Sequence, residues 1–475
     1  MLSSKAIDEG KEGVIPAKDS LWGWPELCRA LSLEVVEGPN ISGVSIDSRS
    51  LAPGELFVAL AGDPGPRFQA TVISTRDGHE FLDDAAMRGA AGVLISRPDA
   101  MAEGREGYAL PCLRVDDTMD GLWALGRAGR ARCKGRVIAV TGSSGKTTLK
   151  TLLANGLGAY ASAGTFNNHL GVPLTLARMP AITAIAVVEI GTNHPGEIAP
   201  LVSLALPQIA VLLNVLPAHL GNFAGIDALR AEKLAIATGL PPEGVFILPA
   251  EIATHSQWTG RSITFGAQDA DVMVRSQGAS ATISYGAEQW HIQVPGGGEH
   301  RALSCAAACA VAIALEVPVA PFLARMSLTE LPSGRGNRID VHGIVVFDDS
   351  YNANPVSMRF ALEALAAEPA RRRVALLGDM LELGADEGAL HAGVASACAG
   401  IDAVVCAGPR MASLYQRLPT AQQAGYFADA ATLEPEAFAA MLNSGDVVVV
   451  KGSKMTFWAR QFVARLVVAL SQRTS

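Results

Sequence analysis

One stretch restricts the chain more than any other: Arg136-Val137-Ile138-Ala139-Val140-Thr141-Gly142-Ser143-Ser144-Gly145-Lys146-Thr147-Thr148. Its first half is a short apolar run rich in β-branched residues, the pattern of a buried strand. A Gly-Ser turn follows, and Lys146, Thr147 and Thr148 open a helical pattern that continues to Leu157. A strand, a glycine turn and a helix start form a cradle in which backbone N–H groups and the positive helix end face anionic oxygens. Lys146 can reach the β- and γ-phosphates of a nucleotide, and the Thr147 hydroxyl can ligate Mg²⁺. The full P-loop pattern would need a glycine where Val140 stands, so the shorter Gly-x-x-Gly-Lys-Thr-Thr form is what remains. A chance Gly-Ser turn capping a helix is the bland alternative. The context matches as well as the string, which favours a phosphate site within an α/β fold built on a parallel sheet.

At 475 residues the chain exceeds what one core supports, and three domains are expected. A formal net charge of −8 argues against a nucleic-acid partner. The cysteines are seven, scattered and without a Cys-x-x-Cys pair, which reads as buried thiols in a reducing cytosol. Cys305 and Cys309 share a helix face, but no His or Asp cluster accompanies them as a metal site would require. Met1–Ser20 has mixed charge and no apolar core, so no signal peptide is expected and the location is cytoplasmic. Met455–Leu470 is apolar but carries Arg460 and Arg465; it reads as a final helix on a sheet, with no membrane insertion.

The first region runs over residues 1–134. Val44–Ile46, Leu56–Leu60 and Ala91–Ile95 read as strands, with a turn at Pro53-Gly54. Ser48 and Arg49 fit a helix cap or a surface pair, and His79 fits a turn. The second region, 135–332, holds strands at Ala184–Ile190 and Ile209–Val215, a helix at Ala228–Gly239 carrying Lys233, and a loop with Asn167 and Asn168. Ligands in parallel sheets bind beyond the carboxyl ends of strands. The loop Gly142–Thr147, Glu189 and His219 should therefore meet at one edge. Glu189 ends an apolar strand, and a buried carboxylate needs compensation. Mg²⁺ would supply it, and so would a structural Arg or Lys. Phe246–Val294 reads as a β-rich appendage, Gly296-Gly297-Gly298 as a break, and Ala302–Leu315 as a helix. The third region, 333–475, alternates strands at Ile344–Phe347, Val374–Leu377, Ala403–Cys406 and Val447–Val450 with helices, a doubly wound unit. No Gly-x-Gly-x-x-Gly follows these strands, so a dinucleotide site is not expected.

In these motifs the chain resembles the Mur ligases, the ATP-dependent amide-forming enzymes of peptidoglycan synthesis. Thr141–Thr148, Glu189, His219 and Lys233 carry the family-wide likeness. Asp47-Ser48-Arg49, Asp77–Phe81, Asn193–Ile198, Asp348–Pro355, Gly378–Gly384 and Lys451-Gly452-Ser453 resemble the members that add a D-Ala-D-Ala dipeptide. The resemblance implies a small α/β UDP-sugar domain, a central P-loop-type ATPase domain and a C-terminal Rossmann-like, doubly wound domain for the dipeptide. It implies that UDP-MurNAc-tripeptide, D-Ala-D-Ala and ATP give UDP-MurNAc-pentapeptide, ADP and phosphate through an acyl phosphate and a tetrahedral intermediate, the last cytoplasmic step of the precursor pathway.

The resemblance also implies residue roles. Gly142, Ser143, Ser144, Gly145, Lys146, Thr147, Thr148, Asn167 and Asn168 would hold the nucleotide, joined by Arg335, Asp349 and Asn352 from the third region. Thr147 and Glu189 would hold one Mg²⁺. His219 and a carbamylated Lys233 would hold a second. An ammonium about 5 Å from a divalent ion is repelled by roughly 6–7 kcal/mol at an effective dielectric of 20, and carbamylation reverses that sign. Without the resemblance Lys233 would read as a solvated helix lysine. Ser48, Arg49 and His79 would hold the UDP-sugar; Asn354, Asp379 and His391 would approach the dipeptide. A monomer is the implied state. The chain departs from the family at His300-Arg301-Ala302-Leu303-Ser304, where asparagines usually stand beside the adenine. It departs again at Lys454-Met455-Thr456, after Lys233, and in the long loop between Gly62 and Asp77. Three alternatives stand beside this reading: another Mur ligase or a folylpolyglutamate synthase, a P-loop switch or ATP-binding module that only changes conformation, and a catalytically weakened relative.

Overall fold

Among the described residues there are three sheets, and the phosphate-loop strand lies third from one edge of the largest. The computed structural model describes residues 20–63, 76–97, 110–162, 164–217, 220–381 and 383–473. By contact density these fall into two compact units. One runs to Gly129 and reclaims Ala177–Ala181; the other holds Arg130–Leu176 and everything from Ile182.

In the first unit, β1 (Gly43–Ser45), β2 (Glu55–Val58), β3 (Gly92–Ile95) and β4 (Cys112–Arg114) form an all-parallel sheet in the order β1-β2-β3-β4. Phe57, Val93, Ile95, Leu82 and Ala85 pack its core. The segment Ala177–Ala181 belongs here for a physical reason. The Trp22 indole donates to the Ala177 carbonyl at 2.8 Å, and the Arg178 guanidinium donates to the Val44 carbonyl at 2.5 Å.

The nine-stranded sheet of the second unit is built from β5 (Arg136–Thr141), β6 (Tyr160–Ala161), β7 (Ile185–Glu189), β8 (Ile209–Leu212), β9 (Val245–Pro249), β10 (Arg261–Gly266), β11 (Val272–Gln277), β12 (Ser280–Tyr285) and β13 (Glu288–Gln293). Its order is β13-β12-β11-β10-β9-β8-β5-β7-β6, parallel from β6 through β11 and antiparallel only at β11-β12-β13. Its two edges differ. β6 is two residues long, while β13 exposes Glu288, Gln289, His291 and Gln293. The expected β-rich appendage is therefore corrected: those strands continue the central sheet, and β10 takes its register directly from β9. Short polar-alternating strands look independent in sequence because one face of each is solvated.

The helix Lys146–Leu157 forms over the expected residues and buries Leu149, Leu152 and Leu153 completely or nearly so. Each such burial stabilises by about 1.5–3 kcal/mol. The Ala-rich helix starts at Glu299 rather than Ala302, so His300 and Arg301 lie in its first turn. Three consecutive glycines in the left-handed region, Gly296, Gly297 and Gly298 at φ 74°, 64° and 85°, turn the chain into it. The helix carrying Lys233 spans Ile226–Leu234 and tightens to a 3₁₀ turn from Ala235.

The third sheet has β14 (Asn337–Val341), β15 (Ile344–Asp349), β16 (Arg372–Gly378), β17 (Ala403–Ala407), β18 (Gln423–Phe427) and β19 (Asp446–Lys451) in the order β14-β15-β19-β16-β17-β18. All neighbours are parallel except β14-β15. Both flanking strands, β14 and β18, escape sequence reading: Asn337–Val341 is short and alternates polar with apolar residues, while Gln423–Phe427 carries a glycine and no β-branched residue. The final helix, Phe462–Ser471, packs Phe462, Leu466 and Leu470 onto this sheet beside Val448 and Val450. Among the described residues no helix is long and apolar enough to cross a membrane, and no cluster of three or more His, Cys, Asp or Glu could hold a metal. Cys305 and Cys309 are buried, their thiols pushed up to about 12 by burial.

Candidate active site

The phosphate loop is held open by its own side chains. Gly145 sits at φ 80°, and a Cβ there would come within 2.7 Å of Leu213 Cδ2, so only glycine fits the turn. Ser144 N–H donates to Asn214 Oδ1 at 3.0 Å, and Ser143 Oγ donates to the Leu216 carbonyl at 2.8 Å. β8 ends at Leu212, and the backbone beyond it bonds on to the loop: Leu213 N–H donates to the Thr141 carbonyl at 2.8 Å, and Ser143 N–H to the Asn214 carbonyl at 3.2 Å. Lys146 Nζ folds back to the Gly142 carbonyl at 2.7 Å. Burial lowers its pKa, while the Glu189 charge opposes that shift.

Glu189, only 1% exposed, ends β7 beside this loop. Its register partner is Val140. One carboxylate oxygen accepts from Thr147 Oγ1 at 3.0 Å, and the other accepts from Asn167 Nδ2 at 2.8 Å. Lys150 Nζ lies 3.6 Å from the first oxygen. The structural cation weighed as an alternative for Glu189 is thus present, one helical turn beyond Lys146. Lys233 is 3% exposed, so the solvated-lysine alternative is corrected. Burial, with the nearby Lys146 charge, lowers its pKa to about 7 against the pull of Glu232. Glu232 itself accepts from Gly196 N–H at 2.7 Å and Ile198 N–H at 2.8 Å, tying the helix to the Asn193–Ile198 turn.

A solvent-open cleft of about 1270 Å³ joins this loop to the third region. Ser143 to Thr148, Asn167 and Glu189 line one side; Arg335, Asp349, Asn352, Asn354 and Lys451 line the other. Among the described lining residues, Lys146, Arg301, Arg335 and Lys451 face two carboxylates, Glu189 and Asp349, so the lining favours an anion. Asp349 bonds Lys451 Nζ at 2.7 Å and lies 3.7 Å from Arg301. Burial pushes its pKa up, but the Lys451 and Arg301 charges outweigh that and hold it below the usual carboxylate value. Arg301 also donates to the carbonyls of Gly296 at 2.9 Å and Arg335 at 3.3 Å. A Cβ on Gly336 would strike its guanidinium, which is why the linker carries glycine there. Arg335 stacks on the Tyr351 ring at 4.0 Å, and Tyr351 OH meets Thr165 Oγ1 at 2.8 Å. His300 stacks flat on Phe360 at 5.3 Å.

Several expected site residues are placed differently. Asn168 does not line the cleft; its Oδ1 accepts from Leu170 and Gly171 N–H and caps the helix Gly171–Ala177. Asn354 lines the cleft and also caps Pro355–Ala367 with Ser357. His391 is fully buried, with Nε2 accepting from Met380 N–H at 3.0 Å and Nδ1 donating to the Glu387 carbonyl at 2.6 Å. It positions the loop after β16. Asp379 accepts from Arg410 and Met411 N–H, both at 3.1 Å, and burial raises its pKa. In the first unit, Ser48 is buried in a 3₁₀ turn and Arg49 is forked onto Asp47 at 2.9 and 2.8 Å. His79 is buried in a capping box made by Asp77 and Glu80, and its Nε2 accepts from Ser96 N–H at 3.0 Å. His219 lies outside the described residues, as do Met1–Asp19, Glu382 and most of the loop after Gly62. Lys150 and Asn214 went unremarked in the sequence, Tyr351 stood there only inside the Asp348–Pro355 motif, and Arg301 only as a departure beside the adenine. Only Lys150 carried a signal, its four-residue spacing from Lys146 along one helix face.

The Mur ligase middle-domain profile matches residues 140–312, and the profile of the Mur ligase glutamate ligase domain matches 334–454. The UDP-N-acetylmuramoyl-tripeptide–D-alanyl-D-alanine ligase of Escherichia coli K12 is 33% identical over 83% of this chain and 86% of its own length. A crystal structure of MurF from Acinetobacter baumannii superposes with a TM-score of 0.78 at 28% identity, covering 94% of this chain and 99% of that one. MurF ligase from Thermotoga maritima in complex with ADP gives 0.74 at 25% identity, covering 91% and 98%. The identity to the Escherichia coli enzyme extends across both compact units, and both profiles fall on the two sheets that flank the cleft: the chain belongs to the Mur ligase family.

Proposed function

We propose that this protein joins D-Ala-D-Ala to UDP-MurNAc-tripeptide, converting ATP to ADP and phosphate. The observation that carries this is the near-full-length likeness to enzymes of that name, combined with a cationic cleft that has the phosphate loop on one wall and Arg335, Asp349, Asn352 and Asn354 on the other. Residues 1–134 take the UDP-sugar, with Ser48, Arg49 and His79 as its candidate contacts. Residues 135–332 take ATP, and 333–475 take the dipeptide. The protein works as a monomer in the cytoplasm, where ATP is found.

The chemistry brings a carboxylate to the γ-phosphate, anion against anion. The loop N–H groups and Lys146 bind and orient the phosphates, and Lys146 exchanges its Gly142 carbonyl for a phosphate oxygen. The hydroxyl and carboxylate donors of Thr147 and Glu189 are the hard oxygens that Mg²⁺ prefers, and they already meet at 3.0 Å. These two residues would hold the ion, which supplies charge neutralisation at the transferring phosphoryl group. Lys233 suits carbamylation because a pKa of about 7 leaves an appreciable fraction as the neutral amine that CO₂ requires. His219 would complete that second cation site. Arg335 and Asn352 reach the nucleotide from the opposite wall, so water is excluded once both walls engage it. The peptide carboxylate becomes an acyl phosphate, the dipeptide amine attacks it, and phosphate leaves.

The test is phosphate release from Mg²⁺-ATP and UDP-MurNAc-tripeptide, with and without D-Ala-D-Ala, followed by product mass. Dipeptide-dependent release and the pentapeptide mass are expected. Release indifferent to the dipeptide, or dependent on D-Glu, a diamino acid or glutamate instead, would overturn the reading.

A further inference from the structure

We propose that Lys150 is the protein's own stand-in for a divalent cation: its ammonium shares Glu189 until a metal ion arrives, then withdraws onto Ser162. The inference rests on the reading of Thr147 and Glu189 as the pair that holds the ion. It begins with a count of protons. An ammonium has three to donate. Lys150 Nζ gives one to the Ser162 carbonyl at 2.9 Å and one to the Gly164 carbonyl. The third is left between two acceptors, Glu189 Oε2 at 3.6 Å and Ser162 Oγ at 3.4 Å.

That third contact is the loose one. Ammonium–carboxylate hydrogen bonds ordinarily close to about 2.7–2.9 Å, so 3.6 Å is charge proximity without a firm bond. The two carbonyls fix Lys150 in place and its side chain is 4% exposed, so it cannot leave for solvent. Meanwhile both oxygens of Glu189 are occupied by the protein, Oε1 by Asn167 and Oε2 by Thr147. A buried carboxylate without a cation nearby would be costly. Lys150 meets that need without a metal, and Ser162 Oγ, already within 3.4 Å, takes the N–H that turns away from Glu189. Binding a divalent ion is then an exchange of cations at Glu189 rather than the filling of a void. The arrangement keeps the phosphate site folded before nucleotide arrives, and it weakens binding of free ions that come without a nucleotide.

The experiment uses the full chain without substrates, with Mn²⁺ as the probe, reading the unfolding midpoint in EDTA or Mn²⁺ and the Mn²⁺ affinity by electron paramagnetic resonance. Lys150→Met should lose roughly 5 °C in EDTA and regain most of it in saturating Mn²⁺. It should bind free Mn²⁺ about ten-fold more tightly than wild type, since a repelling charge is gone. The double variant K150M/E189Q should recover in EDTA the part of the loss that comes from the unpaired Glu189 charge, and ignore Mn²⁺. A K150M loss that is the same with and without Mn²⁺, at unchanged Mn²⁺ affinity, would overturn the idea and leave Lys150 as a tie to the two carbonyls. Should K150M not fold, Ser162→Ala decides. Removing the waiting acceptor should weaken Mn²⁺ binding about three-fold or more at wild-type stability, and unchanged affinity would sink the proposal. No substrate is present, so this outcome is independent of the phosphate-release test.

Discussion

Lys233 shows how much of a residue's chemistry depends on where its neighbours put it. Its spacing in the sequence fits a surface helix position, yet 3% exposure and the adjacent Lys146 charge lower its pKa to about 7. Above that value the amine is neutral and open to CO₂. Stripping CO₂ from the buffer at pH 8 should therefore lower turnover several-fold, and bicarbonate should restore it. Lys233→Arg, which cannot be carbamylated, should fall by about 10²-fold or more and not respond to bicarbonate. Glu189→Gln keeps the shape and removes the charge. Its kcat should drop by about 10²-fold, and stability should fall with it, because the buried Lys150 ammonium loses its counterion and keeps only its carbonyl partners. Glu189 could be singled out in the sequence, since a carboxylate at the end of an apolar strand demands a partner. Arg301 could not: its four partners, at Gly296, Gly297, Arg335 and Asp349, come together only through a turn and a linker that no local pattern joins.

At the scale of elements, the strand, turn and helix from Arg136 to Leu157 were legible because each part is locally consistent and its ends are punctuated by glycine. Gly145→Ala tests that punctuation. The left-handed turn and the 2.7 Å approach to Leu213 predict a loss of about 1–2 kcal/mol in unfolding free energy, with weaker nucleotide binding measured by calorimetry. The strands β10 to β13 were found as strands but not as part of the central sheet, because pairing between β9 and β10 is a long-range choice that alternation does not encode. The motif Asp77–Phe81 was legible as a turn. Its capping box now accounts for the Asp77-x-x-Glu80 spacing physically. On the opposite wall of the cleft, Asp349 lies at the end of β15 with its pKa held below the unfolded value of 3.8. The stability it contributes is therefore complete above about pH 4 and is lost as pH falls through the lower folded value. Asp349→Asn should flatten the acid limb of a stability–pH curve below about pH 4, read by denaturant titration.

For the molecule as a whole, two compact units each own a core, so unfolding should resolve into two calorimetric transitions. A nonhydrolysable ATP analogue should raise only the one belonging to the unit with the phosphate loop, by mass action. A single transition raised as a block would show instead that the two cores melt together. A small N-terminal region ahead of larger α/β regions was an expectation of the sequence. The return of Ala177–Ala181 to the first unit was not, since it depends on one indole and one guanidinium reaching backbone carbonyls far away in sequence. The edges of the nine-stranded sheet have a consequence for life at high concentration. A sheet this wide, parallel through most of its width, is slow to pair and offers a template to any stray strand while it forms. Here one rim is only two residues long, and the other turns Glu288, Gln289, His291 and Gln293 outward. Neither is a long apolar edge, so brevity on one side and polar side chains on the other disfavour the route from partly folded intermediate to aggregate.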